Sequence, residues 1–295
     1  MCAARVVFVT GKGGTGKSTV AAAVAMALSR VRPTTIVDLD GRLSAAAMLG
    51  VTVRGGARAK FTETLDIIGI GGRAELEAFI ERIVPLRAIS RRMLRSRTFG
   101  YVTAALPGLE AFLLLERLRI MAGDAALEDR YVVVDAPASG SAIELLSVAA
   151  GVKELAPAGT LNRLADSVQG FLVDATRFGV IVTATPDELA IREALETTAA
   201  TRERLGVKVV AAMMNRVPDS LFDTAELAAL SPLNVSAHAR LAVRRNAARE
   251  AALIGAVRLA EIGLETVVMP MMFTPRIGID EIEALSDVAR AELFD

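Results

Sequence analysis

The run Gly11-Lys12-Gly13-Gly14-Thr15-Gly16-Lys17-Ser18-Thr19 constrains this chain more than any other feature. It satisfies the pattern G-x-x-x-x-G-K-[ST] directly after the apolar stretch Val6-Val7-Phe8-Val9. A strand that passes through a glycine-rich turn into a helix is the layout of a phosphate-binding loop. The glycines let successive backbone N–H groups turn inward around phosphate oxygens, where a bulkier residue would obstruct them. Lys17 is then placed to reach β- and γ-phosphates, and the Ser18 hydroxyl to ligate Mg2+. A helix expected over Ser18–Ser29 adds the positive end of its dipole. Gly11, Lys12, Gly13, Gly14, Thr15, Gly16, Lys17, Ser18 and Thr19 are therefore the candidate binding set. Lys12 is a second lysine that the general pattern does not require.

The 295 residues suit one large α/β domain, or one such domain with an insertion, and are enough to bury a substantial core. With 34 basic and 34 acidic residues the net charge is zero, so no global field points to nucleic acid. The one local bias is Arg87–Arg97, with five arginines in eleven residues. It reads as the solvated face of a helix, or as a seat for an acidic partner. Cys2 is the single cysteine, which excludes an intramolecular disulfide and a CxxC metal pair within one chain, and the single histidine His238 argues against a histidine-based metal site. These counts suit a reducing, cytoplasmic setting. No uncharged apolar run reaches membrane-spanning length, and the N-terminal apolar run leads straight into the loop rather than to a cleavage site. The acidic end Glu283–Asp295 carries no basic amphipathic helix, so direct membrane insertion is not expected.

Short β-branched runs alternate with long helical patterns, which predicts a doubly wound, mostly parallel sheet covered by helices on both faces. Core strands are expected at Val6–Thr10, Thr35–Asp38, Tyr131–Val134, Gly179–Thr183, Val207–Met213 and Glu265–Met269, with Leu65–Gly69 as a further strand at an edge. Helices are expected at Thr19–Ser29, Ser141–Ala149, Pro186–Leu205, Ala237–Ile262 and Asp280–Leu293. The stretch 73–129 breaks the alternation. It reads as a helical insertion within a single domain spanning 1–295: Ala74–Ile83, Pro85–Leu94 and Gly108–Met121, with breaks at Pro85 and Pro107. Such an insertion either packs on the sheet or serves as a mobile lid or groove.

Further candidates follow from position at strand ends. Asp38-Leu39-Asp40 closes the second strand, where carboxylates face the crevice of an open parallel sheet and can orient a water or hold Mg2+. Tyr131-Val132-Val133-Val134-Asp135 is an apolar strand ending in a carboxylate, which places Asp135 beside the metal. Ala136–Gly140 after it is rich in small residues and could reshape when a phosphate leaves. Asn215 carries an amide able to read both a donor and an acceptor on a base edge. Pro270-Met271-Met272-Phe273 could flank that base, or be ordinary core. His238, on a helix whose polar face carries Arg240, Arg244, Arg245 and Arg249, reads as a surface or capping residue.

Lys12 through Ser18 resembles the deviant Walker A of the SIMIBI class of P-loop ATPases. That resemblance implies that Lys12 reaches a partner's phosphates across a dimer. Within the class, nearly the whole chain resembles the ArsA/Get3 group of anion-transporting ATPases. Val134–Gly140 with Leu145-Leu146-Ser147 resembles its switch II, and Pro107-Gly108-Leu109-Glu110 the start of its helical insert. Val182–Glu188 with Arg192-Glu193 resembles its V-T-x-P-E-E…R-E-T element, and Asn215-Arg216-Val217 its adenine-binding N-R-V. Pro270 matches its proline loop near the base, and Asp40 its water-positioning aspartate. The resemblance implies catalysis by Asp40, Lys12 and Lys17, metal held by Ser18, Asp40 and Asp135, and adenine held by Asn215 and Pro270, with ATP and Mg2+ as ligands. It further implies a homodimer, or a heterodimer with a paralogous ATPase, that handles a client protein.

There are departures from the group. Gly41 and Arg42 follow Asp40 where the group has Pro-Ala, and Ser141 stands where switch II carries a histidine. The cysteines that bind zinc between subunits, or arsenite, in parts of the group are absent. Two alternatives stand beside the ATPase reading: a binding module gated by ATP with slow or no hydrolysis, and a positioning ATPase of the MinD/ParA type.

Overall fold

Runs of valine and isoleucine with no polar alternation need cover on both faces, and the chain supplies it by returning to the same sheet after each helix. The computed structural model describes residues 4–39, 41–54, 56–83, 108–123, 130–155, 158–219, 225–226, 229 and 237–293, with only the backbone of 83 and 237–239. Asp40, the helix expected at Pro85–Leu94, the Arg87–Arg97 cluster, Pro107 and the side chain of His238 lie outside the described residues.

Eight strands form one sheet: β1 Val6–Gly11, β2 Thr34–Asp38, β3 Ala59–Lys60, β4 Leu65–Gly69, β5 Tyr131–Asp135, β6 Phe178–Ala184, β7 Val209–Val217 and β8 Thr266–Pro270. Their order is β3-β4-β2-β5-β1-β6-β7-β8. All neighbours run parallel except the two-residue β3, which lies antiparallel on β4. Leu65–Gly69 is thus one strand in from the edge, and the short β3 blunts that edge. The mixed α/β class expected from the alternating pattern is the observed one.

Successive residues of the central strands serve opposite faces. Val6 and Phe8 of β1, with Val132 and Val134 of β5 and Phe178 and Val180 of β6, belong to one core. Val7 and Val9, Val133 and Ile181 belong to the other. The first core is covered by α3 (Gly72–Ile83), α4 (Leu109–Gly123), α5 (Ser139–Leu155), α6 (Thr160–Val173), α7 (Glu188–Ala199) and α8 (Ala237–Glu261). Phe178 sits 5.7 Å from Phe8 and 5.3 Å, edge-on, from Phe171 of α6, which ties that helix to the sheet. The second core is covered by α1 (Lys17–Ser29), the short α2 (Ser44–Met48) and α9 (Ile279–Leu293). Every residue of α1 from Val20 to Ser29 is buried. Its alanines let the helix lie close between the sheet and α9, where Arg30 pairs with Asp287 and donates to Ser286 Oγ at 3.1 Å.

Several elements differ from expectation. The helix α6 and the short α2 and β3 occupy segments for which the sequence predicts no element. The helix expected to run through Leu205 ends at Ala199 and continues as a π-turn over Ala200–Arg204. The strand β7 starts at Val209 and runs on to Val217, so Asn215 and Arg216 lie within it rather than after it. The helix α5 begins at Ser139, so only Ala136–Ala138 of the small-residue segment remains as loop. Among the described residues no helix is long and apolar enough to cross a membrane.

Candidate nucleotide site

Parallel register brings the ends of the strands to one edge of the sheet. Val9 of β1 lies beside Asp135 of β5, and Asp135 beside Asp38 of β2. On the other flank Gly11 lies beside Thr183 of β6, and Thr183 beside Met213 of β7. The Pro270 end of β8 pairs with Val217. This carboxyl edge, at the centre of an open parallel sheet, is where such folds bind ligands.

The loop from Gly11 to Gly16 is shaped by contacts that its glycines alone allow. A Cβ on Gly11 would lie 2.3 Å from both the carbonyl oxygen and Oγ1 of Thr183. Gly16 caps α1 in a left-handed conformation at φ 85, and a Cβ there would lie 2.3 Å from Asn215 Nδ2. No side chain caps α1 and no acid occupies its first turn, so its positive end points into the loop uncompensated.

Beneath the loop sits a polar brace that involves three strands. Thr15 Oγ1 and Thr183 Oγ1 are 2.8 Å apart, within reach of Lys12 O at 2.9 Å and Thr10 O at 3.1 Å respectively. One hydroxyl proton bridges the pair and the other goes to a carbonyl. Asn215 Nδ2 donates to Thr15 O at 2.9 Å, and Asn215 Oδ1 accepts from Arg216 N at 2.9 Å. The loop is therefore held from below, with its upper surface left to a ligand. Lys17 Nζ bends back to Lys12 O at 3.5 Å, over the turn it would share with phosphates.

The acidic side of the edge is equally ordered. Asp38 is buried, its Oδ1 accepting from Gly41 N at 2.6 Å and its Oδ2 from Leu43 N at 3.0 Å. It holds Gly41 and Leu43 in place, the latter left-handed at φ 52. Asp135 is buried next to it in register, and its carbonyl accepts from Leu39 N at 3.2 Å. The segment after β5 is pinned at two points: Thr10 Oγ1 donates to Pro137 O at 3.0 Å, and Ser139 Oγ pairs with Glu193 of α7. Among the described residues no three His, Cys, Asp or Glu side chains gather around a metal position. The donor set at this edge, the Ser18 hydroxyl and a few carboxylates, instead fits a hard cation held mainly through phosphate and water.

Asn215 and Pro270 come together in a separate pocket of about 310 Å3, walled also by Met272, Pro275 and Ile277. The structure thus joins Gly11–Thr19, Asp38, Asp135, Asn215 and Pro270 along one edge. It adds Thr183 and Glu193, which the bare sequence pattern does not single out as site residues. Both fall within the Val182–Glu188 and Arg192-Glu193 element that resembles the family's, which is the sequence signal for them.

A parallel sheet whose central strand runs through G-x-x-x-x-G-K-S into an uncapped helix defines the P-loop nucleotide-binding fold. Residues 4–205 match the anion-transporting ATPase family, and the chain belongs to that family. ATPase BagA of Mycobacterium tuberculosis is 28% identical over 202 residues, covering 65% of this chain and 59% of its own length. Sequences from Mycobacterium bovis and from the CDC 1551 strain of M. tuberculosis match to the same extent. The chain spans about three-fifths of the length of these curated relatives.

Proposed function

We propose that the chain is a Mg2+-dependent ATPase that hydrolyses ATP to ADP and phosphate, and that works as a homodimer or with a paralogous ATPase to handle a client protein. The observation that carries the reading is the Gly11–Thr19 loop, braced from beneath by Thr183 and Asn215, at the same sheet edge as Asp38 and Asp135. Backbone N–H groups of Gly13–Lys17 surround the β- and γ-phosphates, and Lys17 and Lys12 offset their charge. Ser18, Asp40 and Asp135 would hold Mg2+, which when bound neutralises the phosphoanhydride and draws charge from the leaving oxygen. Asp40 accepts a hydrogen bond from a water and aims its oxygen at the γ-phosphorus. A bond forms between the water oxygen and phosphorus, the bond to the β–γ bridging oxygen breaks, ADP retains the bridging oxygen, and the water's proton leaves with the released phosphate. Asn215 and the walls around Pro270 receive the base.

Turnover of ATP by the purified chain, with and without a Mg2+ chelator, tests this. Chelation is expected to abolish phosphate release. Asp40→Asn is expected to lower kcat by about a hundredfold while leaving ATP affinity within about threefold. Turnover unaffected by both changes contradicts the reading.

A further inference from the structure

The loop after Asp135 is only Ala136–Ala138, and α5 begins directly behind it at Ser139. Two of the ties on this segment come from β1, the strand that leads into the phosphate loop. Ala136 N donates to Val9 O at 3.1 Å, and Thr10 Oγ1 donates to Pro137 O at 3.0 Å. The third tie comes from another element. Ser139 Oγ donates to Oε1 of Glu193 on α7, the one side-chain hydrogen bond or ion pair between α5 and α7 among the described residues.

The start of α5 needs that partner. Ala138 has no side-chain acceptor to cap it, and no acid stands in its first turn, so the helix does not itself offset the positive charge of its leading N–H groups. Glu193 brings a carboxylate to that end from outside the helix. Beside the contact lies a cavity of about 410 Å3 between the two helices, walled by Ile143, Leu189, Thr197 and Ala200. Apolar packing therefore does not clamp the start of α5 to α7 at this point. The helix α7, by contrast, is fixed. Asp187 caps it, Oδ1 accepting from Ala190 N at 2.9 Å and Oδ2 from the Thr185 hydroxyl at 2.6 Å. Its Ile191 and Ala194 are buried in the core, and a Cβ on Gly255 of α8 would lie 2.7 Å from Ile191 Cδ1. It also follows closely on β6, whose Thr183 braces the phosphate loop. Glu193 thus joins a well-anchored helix to the segment that leaves Asp135.

We infer that Glu193 is a positioning residue for ATP hydrolysis: through the Ser139 hydroxyl it fixes the start of α5, and with it Ala136–Ala138 and the Asp135 side of the site. The inference rests on the reading of the chain as an ATPase. Without the carboxylate the segment is held from β1 alone. The phosphates are cradled by Gly11–Thr19, to which Glu193 makes no hydrogen bond, so the loss falls on turnover rather than on ATP binding.

The test compares the full chain with Glu193→Ala, Glu193→Gln, Ser139→Ala and the double variant Glu193→Ala/Ser139→Ala. It reads kcat, ATP affinity by titration calorimetry, melting temperature, and hydrogen exchange at Ala142, whose N–H closes the first turn of α5 on Ala138 O. Glu193→Ala is expected to lower kcat about tenfold or more, to keep ATP affinity within about threefold and to speed exchange at Ala142. Glu193→Gln keeps an acceptor for the hydroxyl and is expected to turn over at least about threefold faster than Glu193→Ala. The double variant is expected to be no slower than Glu193→Ala alone, since both changes remove one bond. Turnover of Glu193→Ala equal to the wild type, or single losses that multiply in the double variant, overturns the inference. So does a fall in ATP affinity as large as the fall in kcat with a lowered melting temperature, the mark of a general structural role. If Glu193→Ala does not fold, Ser139→Ala carries the same comparison of kcat with affinity. A wild type without turnover overturns the ATPase reading and this inference together, a result distinct from variants that match an active wild type.

Discussion

Gly16 shows how closely single positions are specified at this edge. At φ 85 it occupies backbone space that side chains rarely enter, and its missing Cβ is the space taken by Asn215 Nδ2. Gly16→Ala is expected to push that amide off Thr15 O and to cost about tenfold or more in ATP affinity, read by titration calorimetry. Asn215→Leu leaves the buried Thr15 carbonyl without its donor and is expected to lower unfolding free energy by about 1–3 kcal/mol in urea titration. The loop residues were legible because their spacing is local and their chemistry dictates it. Thr183 and Glu193 were legible as part of a matched element but their contacts were not, because their partners Thr15 and Ser139 lie 168 and 54 residues away and meet them only once the sheet is assembled. Asn215 was legible as a polar group at a strand end, but its tie to the loop backbone was not. Asp40, the water-positioning candidate, lies outside the described residues.

Among elements, α1 depends on residues that are small rather than merely apolar. Ala21, Ala22, Ala23, Ala25 and Ala27 are fully buried between the sheet and α9. Ala22→Leu is expected to overpack this layer and destabilise by about 1–3 kcal/mol, read as a lowered urea midpoint with the slope unchanged. The strands were legible since continuous valine and isoleucine runs have few other fates in a βα pattern. The helix α6 was missed although Leu161, Leu164, Val168 and Phe171 recur at helical spacing. Gly159 before it and Gly170 within it blur its bounds, and its hold on the sheet comes through Phe171 on Phe178. The bulge at Arg216 was invisible for another reason: it arises from pairing with β8, some fifty residues downstream.

At the scale of the whole molecule, strand order turns scattered motifs into one site. β1 lies between β5 and β6, so the loop after it is flanked by Asp135 on one side and Thr183 on the other. The sheet places Asp38 beyond the first and Asn215 beyond the second. Alternating elements implied that layout. The central claim is that the loop binds ATP through Lys17, and titration calorimetry of ATP into the wild type and Lys17→Ala tests it most directly. The account predicts a tight equivalent in the wild type that weakens by about tenfold to a hundredfold on losing the charge-assisted phosphate contacts, with the melting temperature of the free protein kept. Equal affinity in the two proteins would contradict it.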